Sequence, residues 1–168
     1  MLGLEPEYAM KLFPTSVVAF IAVLFSLLPA CSKKDKVFNV EANDPEMIAA
    51  IAKARETLPQ FWQVFDKRAL GESDFSLKVK ITDENGTEHF WATDIERRDG
   101  KTLGTINNDP GIVASVKLGD RIDILDVDIS DWLYIRDGKM VGNETLKPLL
   151  KSMPPAESER LKSMMANP

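Results

Sequence analysis

The chain has 168 residues, 44% of them hydrophobic and 28% charged, and a formal net charge of −5. That length suits one domain around a single core, and no repeat of solenoid or propeller length divides it. The mild acidic excess argues against a role on nucleic acid, because phosphate backbones are met by basic faces.

The amino end departs from the average. From Met10 it reads MKLFPTSVVAFIAVLFSLLPAC. Lys11 is a short positive region, Leu12 to Leu28 is almost wholly apolar, and Ala30 is a small residue where cleavage is expected. Cys31, the single cysteine, follows at once, and Leu28-Pro29-Ala30-Cys31 resembles a bacterial lipobox. The resemblance implies that residues 1–30 are a signal peptide, with Met10 as the expected start, and that Cys31 is lipidated. It also implies a membrane attachment through Cys31. Ser32, in the place where aspartate favours the inner membrane, points to the outer membrane facing the periplasm if the host has one. Residues 31–43 then form a tether, whose Ser32 to Lys36 stretch is polar and basic and close to anionic headgroups.

A helix is expected to start at Asp44-Pro45-Glu46: a cap, a proline suited to the first turn, and an acid at the positive end of the dipole. Met47, Ile48, Ile51 and Ala52 recur at helical spacing. Pro59 is expected to end or kink this helix near Leu58, with a second piece over Gln60 to Lys67 carrying Phe61, Trp62 and Phe65 into the core.

After Gly71 the period becomes two. Phe75 to Ile81 alternates, with Phe75, Leu77, Val79 and Ile81 inward. Asn85-Gly86 signals a hairpin into Glu88 to Arg97, and Asp99-Gly100 a second into Lys101 to Ile106. NNDPG (Asn107 to Gly111) reads as a loop, and Val113 to Lys117 as a short strand or extended segment. Strands are expected over Arg121 to Ile129 and Trp132 to Arg136, and Asp137-Gly138 turns into Lys139 to Val141. Thr145 is placed to cap a short helix, and Ala156 to Met165 forms a last amphipathic helix. The resulting fold class is α+β. An N-terminal helical unit packs on a curved antiparallel sheet of about five strands, with a domain over 44–152 and a helical C-terminal tail over 153–168.

Three candidate sites stand out. Asp126, Asp128 and Ser130 match the opening positions of a calcium loop, but Asp131 replaces the glycine at position 6 and Asp137 the glutamate at position 12. A strand's wet face followed by a turn accounts for more of these residues. His89, the single histidine, sits in EHFW between Glu88 and Trp91; neighbours on a strand face apart, so Glu88 does not orient it, while His89 and Trp91 share a face. Trp132 and Tyr134 share one face of their strand, with Leu133 and Ile135 on the other. Such a strand is either covered twice, which is favoured, or offers aromatics to a partner. His89, Trp91, Trp132 and Tyr134 are therefore the candidate interaction surface. No phosphate-loop or dinucleotide motif is present, so no cofactor is assigned.

These residues also carry a resemblance. LPQFW (Leu58 to Trp62), EHFW, Asn108-Asp109-Pro110, VKLGDRIDI (Val116 to Ile124), ISDW with Tyr134, Asp137-Gly138-Lys139 and Gly142 with Thr145-Leu146 resemble the YegJ-like group of small bacterial proteins, a family of unknown function. The resemblance implies an exported domain and supplies no catalytic residues. Leu118 to Ile122 is also similar to strand openings in SH3-like barrels, which implies a strongly curved sheet. The leading expectation is a lipid-anchored binding or interaction module of the cell envelope, with an envelope protein as its partner. The alternatives are a hydrolase-type enzyme using His89 and a nearby carboxylate, and a metal-binding lipoprotein using Asp126, Asp128 and Asp137.

Overall fold

The computed structural model describes residues 44–167, so the lipobox, Cys31 and the tether lie outside the described residues. Helix α1 runs Pro45–Lys67, and the Asp44 carboxylate accepts from the amides of Glu46 (2.7 Å) and Met47 (3.2 Å), as the cap pattern requires. Pro59 does not end it, contrary to expectation, and Gln60 to Lys67 continues the same helix. Packing decides this. Ala54, Leu58, Phe61 and Phe65 recur at helical spacing and are buried on the sheet, Phe61 completely. That burial offsets the hydrogen bond a mid-helix proline forfeits. Pro59→Ala restores an N–H to the Arg55 carbonyl on an exposed turn. We expect it to stabilise the domain by about 1–3 kcal/mol, read from urea unfolding midpoints at constant m.

Six antiparallel strands follow: β1 (Glu72–Asp83), β2 (Gly86–Arg98), β3 (Lys101–Ile106), β4 (Arg121–Ile124), β5 (Ile129–Arg136) and β6 (Lys139–Gly142). Their order is β4-β3-β2-β1-β5-β6, so β5 returns to pair beside β1 instead of extending a meander. Asp99-Gly100 and Asp137-Gly138 form the expected two-residue turns, with both residues of each at positive φ. The first hairpin is shifted by one residue: Asp83 pairs Gly86, and the turn is Glu84-Asn85, held by the Asp83 carboxylate on the Asn85 amide at 2.8 Å.

The expected strand Arg121 to Ile129 is replaced by β4, a 3-10 turn over Asp126–Asp128, and the start of β5. The alternation there is misleading, because Val127 and Leu125 point to solvent. The turn also reveals the sheet's shape. Four strand spacings of about 4.8 Å separate β4 from β5 in a flat sheet, about 19 Å. The short turn between Ile124 and Ile129 falls short of that, so the sheet curls until both side chains enter one core cluster. The strong curvature expected from the sequence is present. Trp132, Tyr134, Leu77, Ala92 and Ile95 join this inner core beneath α1. A second cluster of Phe90, Ile106 and Val113 lies under the 107–120 loop, which holds no strand.

Short helices α2 (Leu146–Leu150) and α3 (Pro155–Met164) complete the chain. The tail docks at the sheet edge: Met165 is buried, bridges Met140, and the Ala166 amide donates to the Met140 carbonyl at 2.8 Å. Among the described residues no helix is long and apolar enough to cross a membrane.

Candidate functional site

Period two fixes which side chains leave the core. Lys78 pairs Trp91 and Lys80 pairs His89 across β1 and β2, while Leu77, Val79, Phe90 and Ala92 between them are buried inward. Lys78, Lys80, His89 and Trp91 therefore share the outer sheet face, away from α1. Asp131 on β5 pairs Lys78 and joins this face, and a bulge between Lys78 and Val79 brings Ser130 to it as well.

A polar network forms there. The Ser130 hydroxyl lies 2.7 Å from His89 Nδ1 and donates to the Lys78 carbonyl at 3.1 Å, which leaves the imidazole N–H to donate to Ser130. Asp131, completely buried, accepts from the amides of Trp132, Glu144 and Thr145 and from the Thr145 hydroxyl at 2.7 Å. Lys78 Nζ donates to Thr145 Oγ1 at 3.0 Å and sits 5.4 Å from the Trp91 ring centroid. The chain from Asn143 to Thr145 is thereby pinned across the outer face. Thr145 does not cap α2, contrary to expectation, because its hydroxyl is spent on Asp131.

Burial dominates the electrostatics. It lowers the Lys78 ammonium pKa against the pull of Asp131. It raises the Asp131 carboxyl against the hydrogen bonds of Thr145 and Trp132 and the charge of Lys78. It also lowers His89, and Lys78, Lys80 and Arg55 add to that depression.

The structure divides the candidate surface. Trp132 and Tyr134 belong to the inner core at 5% and 3% exposure, Trp132 tilted against Phe61 and Tyr134 stacked on Phe75, and the Trp132 indole donates to the Ala54 carbonyl at 2.9 Å. Their place in the candidate interaction surface is corrected, and the favoured reading of a covered strand holds on this face, because α1 already covers it. His89 and Trp91 lie together, half-buried, on the outer face. The hydrolase alternative needs a carboxylate within reach of His89; its hydrogen bond among the described residues goes to Ser130 instead. The metal alternative loses its geometry. Asp126 and Asp128 precede β5 and Asp137 follows it, with the eight residues of β5 between Asp128 and Asp137, about 30 Å at strand rise. The three carboxylates cannot converge.

Nothing in the sequence brings Lys78, Ser130, Asp131 and Thr145 together. Lys78 and Lys80 read as ordinary exposed positions of an alternating strand, Ser130 and Asp131 as positions of a flawed calcium loop, and Thr145 as a helix cap. The place of Asp131 beside Trp132, on a strand with apolar residues on both faces, is the one local signal.

Two further carboxylates shape the rim. Glu88 accepts from the amides of Gly111, Ile112 and Val113, and Asp83 from those of Ala114 and Ser115. Asn108 Oδ1 accepts from the Trp91 amide at 2.9 Å, so the NNDPG loop seals β2 where β3 has ended. The Asn85 amide, with those of Ala114 and Ser115, lowers the Asp83 pKa below its ordinary 3.8. A depressed carboxyl stabilises the fold above its unfolded pKa and loses that contribution as pH falls through the folded value. Below pH 3.8 the Ala114 and Ser115 amides should therefore exchange faster, and Asp83→Asn should abolish that acid step.

An α+β domain with a curled sheet and a buried polar network on its outer face is thus the class of protein defined here. The chain belongs to the DUF2314 family, uncharacterized proteins conserved in bacteria, whose family model matches residues 44–166. It is 34% identical over 150 residues to the uncharacterized protein YegJ of Escherichia coli (strain K12), covering 89% of this chain and 97% of that protein. A putative ankyrin repeat protein of Neisseria meningitidis serogroup B is 30% identical over 133 residues, covering 74% of this chain and 51% of that protein. No solved structure matches the chain.

Proposed function

We propose that this chain is a lipid-anchored protein of the bacterial cell envelope whose domain binds a partner through the outer sheet face at His89 and Trp91. The observation that carries the binding role is how His89 is held. Its Nδ1 is tied to Ser130, a hydroxyl only 1% exposed and already donating to a backbone carbonyl. A serine so placed cannot reach a substrate, and the fixed imidazole serves recognition. Trp91 and Lys80 flank it with aromatic and cationic surface.

The anchor rests on Leu28-Pro29-Ala30-Cys31 behind the apolar run Leu12 to Leu28. Ser32 favours the outer membrane, facing the periplasm, in a host with two membranes. The Neisseria relative adds support of a different kind. A similar segment fills half of a protein named for ankyrin repeats, which stack into extended binding surfaces.

Two measurements test this reading. The cell-grown protein should carry a lipid on Cys31 and start there by mass spectrometry, and Cys31→Ser should release it from membranes. A photo-crosslinker at exposed Lys80 should capture one dominant partner in the envelope. An unmodified Cys31 in the mature chain would refute the anchor, and a Lys80 probe without adducts in lipidated, folded protein would refute protein docking on this face.

A further inference from the structure

We propose that Lys78, Lys80 and His89, walled by Trp91, form a binding site for a phosphate group. This deepens the binding role above and rests on it, because it names the chemistry the outer face recognises.

The sheet register gathers these four side chains on adjacent strands of one face. In a chain of net charge −5, the charges that lower the His89 pKa besides its burial are cationic: Lys78 and Lys80 from β1 and, from the helix on the other face, Arg55. The one carboxylate behind them, Asp131 on β5, is buried, and its oxygens are occupied by Trp132, Glu144 and Thr145. The Lys80 ammonium makes no ion pair or hydrogen bond among the described residues, and the Lys78 ammonium bonds only Thr145 there. The face thus presents the unpaired ammonium of Lys80 among the described residues, while Asp131 partly offsets the charge of Lys78.

The type of cation selects the anion. Guanidinium forks match carboxylate and phosphate alike, but Arg55 is committed to the Ile129 carbonyl at 2.9 Å and the Val127 carbonyl at 3.0 Å and does not take part. Two ammonium groups and an imidazole remain, point donors suited to a tetrahedral, multiply charged oxyanion. His89 Nδ1 is turned inward to Ser130, which leaves Nε2 as the nitrogen that can meet a ligand. With the proton of the neutral ring on Nδ1, that nitrogen carries a lone pair. Phosphate binding requires its protonation, so a bound oxyanion and a proton on His89 reinforce each other. Trp91 supplies an apolar wall for whatever carries the phosphate.

His89 is the single histidine, so its imidazole ring protons give one resolvable NMR titration in the full chain held in neutral detergent. The titration is run from pH 5 to 8 at constant ionic strength in chloride, in inorganic phosphate, in glycerophosphoglycerol and in zwitterionic glycerophosphocholine. Phosphate should raise the His89 pKa by about one unit, equivalent to about tenfold tighter binding of phosphate below the titration than above it. Lys80→Gln, at an exposed position, should shrink that shift while leaving the melting temperature unchanged. A shift with inorganic phosphate alone identifies a soluble phosphorylated ligand; a matching shift with glycerophosphoglycerol identifies an anionic lipid headgroup. An identical titration in chloride, phosphate and glycerophosphoglycerol overturns the proposal. So does a shift equal in Lys80→Gln, which marks general screening. A Lys80 crosslink to a protein with no phosphate shift would keep the surface as an interface and remove only the phosphate assignment.

Discussion

Asp131→Ala is expected to cost the domain about 3–5 kcal/mol, enough to leave it near the edge of folding. The carboxylate is completely buried and receives three backbone amides and the Thr145 hydroxyl. Alanine leaves those donors without an acceptor and removes the nearest opposing charge from Lys78. The loss should centre on the segment from Asn143 to Thr145, which Asp131 holds across the sheet. Lys78→Met in the same chain should recover part of it, because the stranded ammonium is then absent. Urea unfolding of the two single variants and the double variant measures the coupling. Strict additivity would show that Lys78 and Asp131 do not share one network.

Gly142→Ala is expected to cost about 3 kcal/mol or more. Gly142 has φ +84, and a Cβ there would meet the Trp132 carbonyl oxygen and lie 2.6 Å from two atoms of its indole ring. Trp132 cannot yield, because its indole is bonded to Ala54 and packed against Phe61. Gly138→Ala is the control: its φ is +76, yet nothing lies within 4 Å of the added carbon. It should cost only about 1–2 kcal/mol, the left-handed backbone term alone. Equal melting temperatures for the two variants would show that the indole moves aside.

These two positions also show what the sequence could reveal. Elements set by neighbours in the chain were legible. Asp44-Pro45-Glu46 capped the helix, and the alternation from Phe75 to Ile81 oriented β1. Asp99-Gly100 and Asp137-Gly138 made the predicted turns. Elements set by distant packing were not. Pro59 reads as a helix end until Phe61 and Phe65 have a sheet to rest on. Asp126 to Ile129 alternates like a strand, yet the curl of the sheet demands a tight turn there. The polar network was hidden for the same reason. Lys78 and Thr145 meet across 67 residues, and Asp131 and Thr145 across 14. His89 and Trp91 were legible as a pair because they lie on one strand, whereas the cover over Trp132 and Tyr134 comes from α1, far away in the chain.

The most direct test of the outer face as a binding surface is the reactivity of His89 toward diethylpyrocarbonate. The label on this single histidine is quantified by mass spectrometry in intact envelopes and in the purified full chain. Binding on this face predicts that His89 is modified several-fold more slowly in the envelope, and that Lys80→Glu restores the faster rate. Equal rates in envelope and detergent, with the fold intact in both, would contradict the account.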